Sequence, residues 1–226
     1  MDLKYTITKS SKRRKLIISV ERDRSVIVRA PEGMSDTDIE KIVTSKRQWI
    51  YEKIGHPQKY HLPHAPGKEI VSGESALYLG RQYRIEIVKT RASEIHFTQH
   101  FLVPEINIKK RKEIFCKWYI GQAIKEIIPR VKYHARKLGV RYVEAKIIDN
   151  RYRWGSCTLK NNVNFNWRLI KAPMFAIDYV IVHELTHLIE GNHTPRFWNI
   201  IRSQLAHVEK AKQWLKEHGQ LLEQAV

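Results

Sequence analysis

Cysteine is nearly missing from this chain: Cys116 and Cys157 are the only two among 226 residues, too few for a disulfide framework. Long apolar runs are missing as well. Near the most distinctive stretch the longest is Tyr179 to Val182, far short of the roughly 20 residues that span a bilayer, so no membrane partner is expected. The N-terminal MDLKYTITKSSKRRK carries charge without the apolar segment of an export signal, so a cytoplasmic location is expected. Acidic residues are scarce relative to basic ones, 23 against 41, and the formal charge is +18. Such a surplus attracts nucleic acid, acidic protein segments or anionic lipid, without choosing among them. At this length the chain can bury a real core, in one large or two small domains, and it shows no internal repeat.

What is present is concentrated at residues 180–193, VIVHELTHLIEGNH. On a helix His183 and His187 lie four apart and project from one face, so both imidazoles can reach one cation about 2.0 to 2.1 Å away. Glu184, turned roughly 100° from His183, can reach a water at that cation without ligating it, which is a general base's place. His193 is the best third ligand, because Gly191-Asn192 can end the helix and turn the chain back. Zinc is the metal such a His-rich set prefers. Two rivals for the third position remain, Glu209 downstream and Cys157 upstream. The bland alternative, two buried histidines bonded to backbone carbonyls, leaves Glu184 buried among apolar neighbours without a partner, which is costly. All three methionines, Met1, Met34 and Met174, lie upstream of the motif, which removes the Met-turn of one large class of zinc peptidases.

The remainder reads as α+β. Residues 3–30 hold three β-type runs, LKYTIT, KLIISV and SVIVRAP, whose spacing predicts an antiparallel meander. A helix capped near Ser35 follows, with Ile39, Ile42, Val43, Trp49, Ile50 and Ile54 at helical spacing. The Pro- and His-rich stretch 56–68 reads as an exposed loop, and His56, His61 and His64 are assigned no chemistry. Further strand-like runs complete a β-rich region 1–104. A compositional shift then opens a second domain, 105–226. It begins with a long helix over 108–138, kinked or interrupted at Pro129 and ended by Gly139. Ile114, Trp118, Ile124, Ile127, Ile128 and Val131 are its predicted buried stripe. Lys109, Lys110, Arg111, Lys112, Lys117, Lys125, Lys132, Arg136 and Lys137 form a basic remainder, by default a solvated face. EAKIID and NVNFNWRLI, with the turn Lys160-Asn161-Asn162, predict a β-hairpin leading into the motif helix, which Pro173 opens; two amphipathic helices follow His193.

The segments RWGSC, NWRLI, APxxxIDYVIVHELTHL and NHTPRFW, in this order and spacing, resemble the YgjP-like metallopeptidases, relatives of the SprT-like and WLM zinc proteases. The resemblance implies a zincin-like metallopeptidase domain with an active-site helix and a hairpin, preceded by the β-rich N-terminal region. It implies a catalytic zinc held by His183, His187 and His193, with Glu184 as catalytic acid/base and a protein or peptide as substrate. Relatives in the wider clan cleave proteins crosslinked to DNA, so with the +18 charge a DNA association is an expectation too. The RYRWGSC and NFNWR segments are expected to wall the site and offer a strand edge to an extended substrate. Arg151, Arg153 and Tyr179 are candidates to stabilise the oxyanion, with packing and solubility explaining each about as well, and Trp154, Trp167 and Trp198 are expected to be core aromatics. The competing reading is a nucleic-acid-binding module with a structural metal site; the intact Glu184 favours the enzyme.

Overall fold

A computed structural model of the chain describes residues 3–21, 24–55, 69–150 and 153–223. The expected loop 56–68, with its three histidines, and Arg151 lie outside them. Among the described residues the chain forms two compact units, Met1–His64 and Ala65–Val226, and no helix is long and apolar enough to cross a membrane.

In the first unit β3 (Val26–Pro31) has the cleanest alternation, burying Val26, Val28 and Ala30 while Ile27 and Arg29 turn the other way. That apolar face gives it the centre of a three-stranded sheet, between β1 (Thr6–Ser10) and β2 (Ile17–Val20). Strand β2 pairs antiparallel with β3, but β1 pairs parallel to it. The sheet is therefore not the expected meander: the basic connection 11–16 carries the chain past the end of β3 instead of folding β2 back on β1. Ser35 Oγ accepts a hydrogen bond from the Asp38 N–H and caps α1 (Asp36–Ser45). Lys46 leaves helical dihedrals at φ −103°, ψ 9°, so the single expected helix is two, the second being α2 (Arg47–Ile54). Ile39, Val43 and Ile50 complete this unit's core.

In the second unit β4 (Ser75–Tyr78), β5 (Arg81–Val88), β6 (His96–Phe97) and β7 (Phe101–Pro104) form a sheet in the order β4-β5-β7-β6. Phe101 of this sheet meets Phe115, Trp118 and Tyr119 of α3 (Ile108–Leu138) with ring centroids 5.0 to 6.4 Å apart. One core thus joins residues either side of the compositional shift near residue 105, and the two units divide well before it. Asn107 caps α3, Gly139 ends it in the left-handed conformation at φ 69°, and Pro129 is accommodated within it. The buried ridge is Phe115, Tyr119, Ala123, Ile127 and Val131. It runs at four-residue spacing, one position away from much of the predicted stripe, and leaves Ile124 52% exposed. Small Ala123 in mid-ridge permits a close approach.

The third sheet has β10 (Asn162–Asn166) at its centre, parallel to β8 (Glu144–Ile148) and antiparallel to the edge strand β9 (Gly155–Cys157). The expected hairpin of EAKIID with NVNFNWRLI does not form, because β8 runs parallel to β10; the antiparallel partner is the short β9, and Asn161 takes φ 56° in the turn between β9 and β10. The expected strand NWRLI instead becomes a 3-10 helix, Trp167–Lys171, because Asn166 Oδ1 accepts from the Arg168 N–H and turns the chain. Next come α4 (Met174–Thr186), α5 (Pro195–Gln204) and α6 (Val208–Glu223).

Helix α4 is clamped to α3 by charge. Arg130 donates from Nε and Nη2 to the two Asp178 carboxylate oxygens, each at 2.6 Å, and His134 Nε2 stands 3.1 Å from Oδ1. Burial pushes the Asp178 pKa up, but the hydrogen bonds from His134 and Arg130 and their charges outweigh it and hold the carboxyl below its ordinary 3.8. A depressed carboxylate contributes stability that is fully present above that ordinary value and is lost as pH falls through the folded-state pKa. Replacing Asp178 by Asn should therefore cost about 2 kcal/mol at pH 7 and flatten the acid limb of the stability profile, read from urea midpoints between pH 7 and pH 2.

Candidate metal centre

Helix α4 is buried on nearly every side, with Ala176, Ile177, Val180, Ile181, Val182 and Leu185 all in the core. Its last turn carries His183, and His187 follows as the C-terminal cap with helical dihedrals of φ −63°, ψ −16°. The four-residue spacing therefore keeps its phase, and the two rings lie 5.1 Å apart, centroid to centroid. The helix ends at Thr186, earlier than the expected turning point at Gly191: the Leu188 N–H donates to the Leu185 carbonyl and those of Ile189 and Glu190 to Thr186. Gly191 adopts no positive φ. This tighter turn brings His193 back, its ring 5.0 Å from His183 and 4.9 Å from His187.

One ligating atom from each of His183, His187 and His193 lies within 4.8 Å of the others. The Nε2 atoms of His183 and His193 are 3.1 Å apart. Ligand nitrogens about 2.0 to 2.1 Å from a tetrahedral ion stand about 3.3 Å from each other, so the donor set fits a divalent cation. His187 Nδ1 lies 3.3 Å from the Glu190 carbonyl, a contact that orients the ring. Burial, with His187 and His193 close by, pushes the His183 pKa down to about 3, and burial with His193 lowers that of His187. Both rings are neutral near pH 7, the form that ligates metal.

Packing holds the three rings. Thr194 Oγ1 accepts from the Phe197 N–H and Pro195 opens α5, which brings Phe197 beneath the cluster. Phe197 is fully buried, with its ring 5.0, 4.7 and 4.7 Å from those of His183, His187 and His193. Trp198 stacks on His193 at 5.7 Å, and Tyr179, one turn before His183, stands 5.8 Å from it. Among the described residues His183 Nδ1 is buried without a hydrogen-bond partner, so ring contacts of this kind hold it. Trp198, expected in the core, is half-buried and part of the site's wall; Trp167 is buried against Tyr119, as expected. Phe197 was not among the residues expected at the site, although its place one turn into a Thr-Pro-started helix just after His193 signals it.

Glu184 is buried, 8% exposed, against strand β9. Burial pushes its pKa up to about 7, opposed by the charge of Arg153 and by a hydrogen bond from the Cys157 backbone N–H. The rival ligands lie outside the histidine cluster among the described residues. Cys157 is half-buried in β9 with its thiol directed at the Thr158 carbonyl, and Glu209 is exposed and paired with Lys212 at 3.0 Å and Arg202 at 3.6 Å. Of the oxyanion candidates, Arg153 is exposed, and Tyr179 is buried, its hydroxyl pKa raised by burial and by the charges of Glu209 and Glu184.

A helix presenting two histidines, a returning third and a buried glutamate beside them is the local architecture of a metallopeptidase. The chain belongs to the YgjP-like metallopeptidases: the family model for the YgjP-like metallopeptidase domain matches residues 14–218. The solved metallopeptidase zymogen jannalysin of Methanocaldococcus jannaschii is similar to 42% of this chain and 97% of that one, with 22% identity and a TM-score of 0.35. No curated protein matches the chain. The protein is thus a peptidase of α+β fold that works with a metal ion. The floor beneath the rings is testable: Phe197→Ala should lower the unfolding free energy by about 3 to 5 kcal/mol in urea denaturation, and Phe197→Leu by less than half of that.

Proposed function

We propose that this metallopeptidase is a zinc enzyme in which His183, His187 and His193 hold the ion and Glu184 is the general base. The observation that carries the reading is the convergence of three imidazoles, with ligating atoms within 4.8 Å, next to a buried carboxylate. Three imidazole ligands suit zinc among the common cations. When bound, such an ion supplies Lewis acidity, polarising the scissile carbonyl and lowering the pKa of a water molecule towards 7. With a pKa near 7, Glu184 takes a proton from the attacking water and hands it to the leaving amine. The Cys157 N–H and the charge of Arg153 help hold the carboxylate in its ionised, accepting form. Among the described residues β9 pairs with a strand on its β10 side alone, and its other edge, where the Cys157 N–H is taken by Glu184, suits an extended protein or peptide substrate added alongside that contact. The two free cysteines accord with a cytoplasmic location.

A DNA association is favoured by a separate observation. Lys117, Lys125, Lys132 and Arg136 are exposed along the outer ridge of α3, opposite its buried one, at spacings that keep them on one face. A row of cations along a 31-residue helix matches a phosphate backbone.

Metal analysis and cleavage of labelled casein test the enzymatic reading. Wild type and Glu184→Gln should each carry one zinc per chain, while the variant loses at least about 100-fold in rate. A Gln variant as active as wild type would sink the assignment, and a zinc-bearing protein that retards DNA but cleaves no protein would favour a binding module with a structural metal. For the helix face, Lys117→Glu with Lys125→Glu should weaken duplex DNA binding irrespective of sequence and flatten its salt dependence by about one log unit per log unit of salt for each phosphate no longer neutralised. Unchanged mobility shifts would dismiss that surface.

A further inference from the structure

We infer that Gly155 is a positioning residue for Glu184: the Cβ it lacks is the space in which the Glu184 side chain stands. This rests on the reading of Glu184 as the base. A Cβ built on Gly155 would lie 2.6 Å from Glu184 Cγ, 2.8 Å from Oε1 and 3.0 Å from Cδ. Every one of these distances is shorter than ordinary van der Waals separation. Gly155 does not sit in the left-handed region, so alanine can adopt its backbone, and the requirement concerns side-chain volume alone.

The register of the hairpin explains why the approach is so close. Gly155 pairs with Phe165 and Cys157 with Val163, so Gly155 and Cys157 fall on one face of β9 by the two-residue period. Phe165 and Val163 are fully buried, which pins β10 and with it the height of β9 over α4. The Cys157 N–H then reaches the Glu184 carboxylate while the carboxylate's stem passes over Gly155. Asn166 Nδ2 ties down the approach to β9 by donating to the carbonyls of Asn150 and Arg153. The strand cannot readily back away, so a larger residue at 155 displaces what is movable. That is a side chain and not backbone: the fold survives the substitution, and the carboxylate leaves its place.

The test compares wild type, Gly155→Ala, Glu184→Ala and the double variant. Gly155→Ala should fold, bind one zinc per chain and cleave labelled casein with kcat reduced about 100-fold and KM changed less than about twofold, the signature of a misplaced group that acts in the transition state. Thermal melts supply a readout independent of turnover. The alanine should lower the midpoint of wild type but not that of Glu184→Ala, where the crowded partner is gone. If Gly155→Ala does not fold, the double variant should. The inference is overturned by a kcat within about threefold of wild type, by equal midpoint losses in both backgrounds, or by a double variant as unfolded as the single one. Full activity of Glu184→Gln would instead defeat the base assignment, and the melts would still report whether Gly155 makes room for Glu184.

Discussion

A helix that carries two imidazoles and a carboxylate through the middle of a hydrophobic core is stable only if each polar group meets something that compensates its lost water. Helix α4 is in that position, and much of the second unit is arranged around it. Its outer flank is held by Arg130 and His134 through Asp178. Its last turn meets the aromatic face of α5, and its carboxylate meets the backbone of β9. These partners come from three separate elements, so the site exists only when α3, α5 and the β9–β10 hairpin are all in place.

The same arrangement sets the protonation states that the proposed chemistry calls for. Burial disfavours charge on His183 and on Glu184 alike: it drives the imidazole towards its neutral, ligating form and lifts the carboxyl to about 7. In the proposed mechanism, one environment thus prepares a metal ligand and a proton acceptor at adjacent positions of one helix. The opposite treatment of Asp178, a turn and a half earlier, shows that proximity of donors decides the outcome. Its hydrogen bonds from His134 and Arg130 keep it an anion, whereas Glu184 receives a backbone N–H and the charge of Arg153.

Motif and helix were legible because they depend on local spacing, as was the turn at Lys160-Asn161-Asn162, though not which strand it folds back on β10. The four-residue interval of His183 and His187 survives even though the helix stops at Thr186, since His187 keeps helical dihedrals as its cap. Ser35, Asn107 and Thr194 cap helices as their side chains dictate. Partner choice was not legible. The runs in residues 3–30 are strands, yet β1 lies parallel to β3, because the order of strands depends on which one has the better apolar face to occupy the centre. The ridge of α3 sits one position from much of the predicted stripe, because a long helix offers several adjacent stripes and the aromatic face of the β4–β7 sheet selects among them. The compositional shift near residue 105 marks a change from strand to helix and not a change of core.

By itself the sequence determined the chemical inventory: three histidines and a glutamate at intervals that only a helix and a tight return can bring together, a basic surplus, and an α+β alternation of patterns. Those are properties of neighbours along the chain, fixed by dihedral preference and side-chain type. Tertiary structure decided what lies under and over that inventory, Phe197 below the imidazoles and the bare backbone of Gly155 against the carboxylate. Contacts of that kind are set by how separate elements pack, and a glycine's missing carbon has meaning only once its neighbour in space is known.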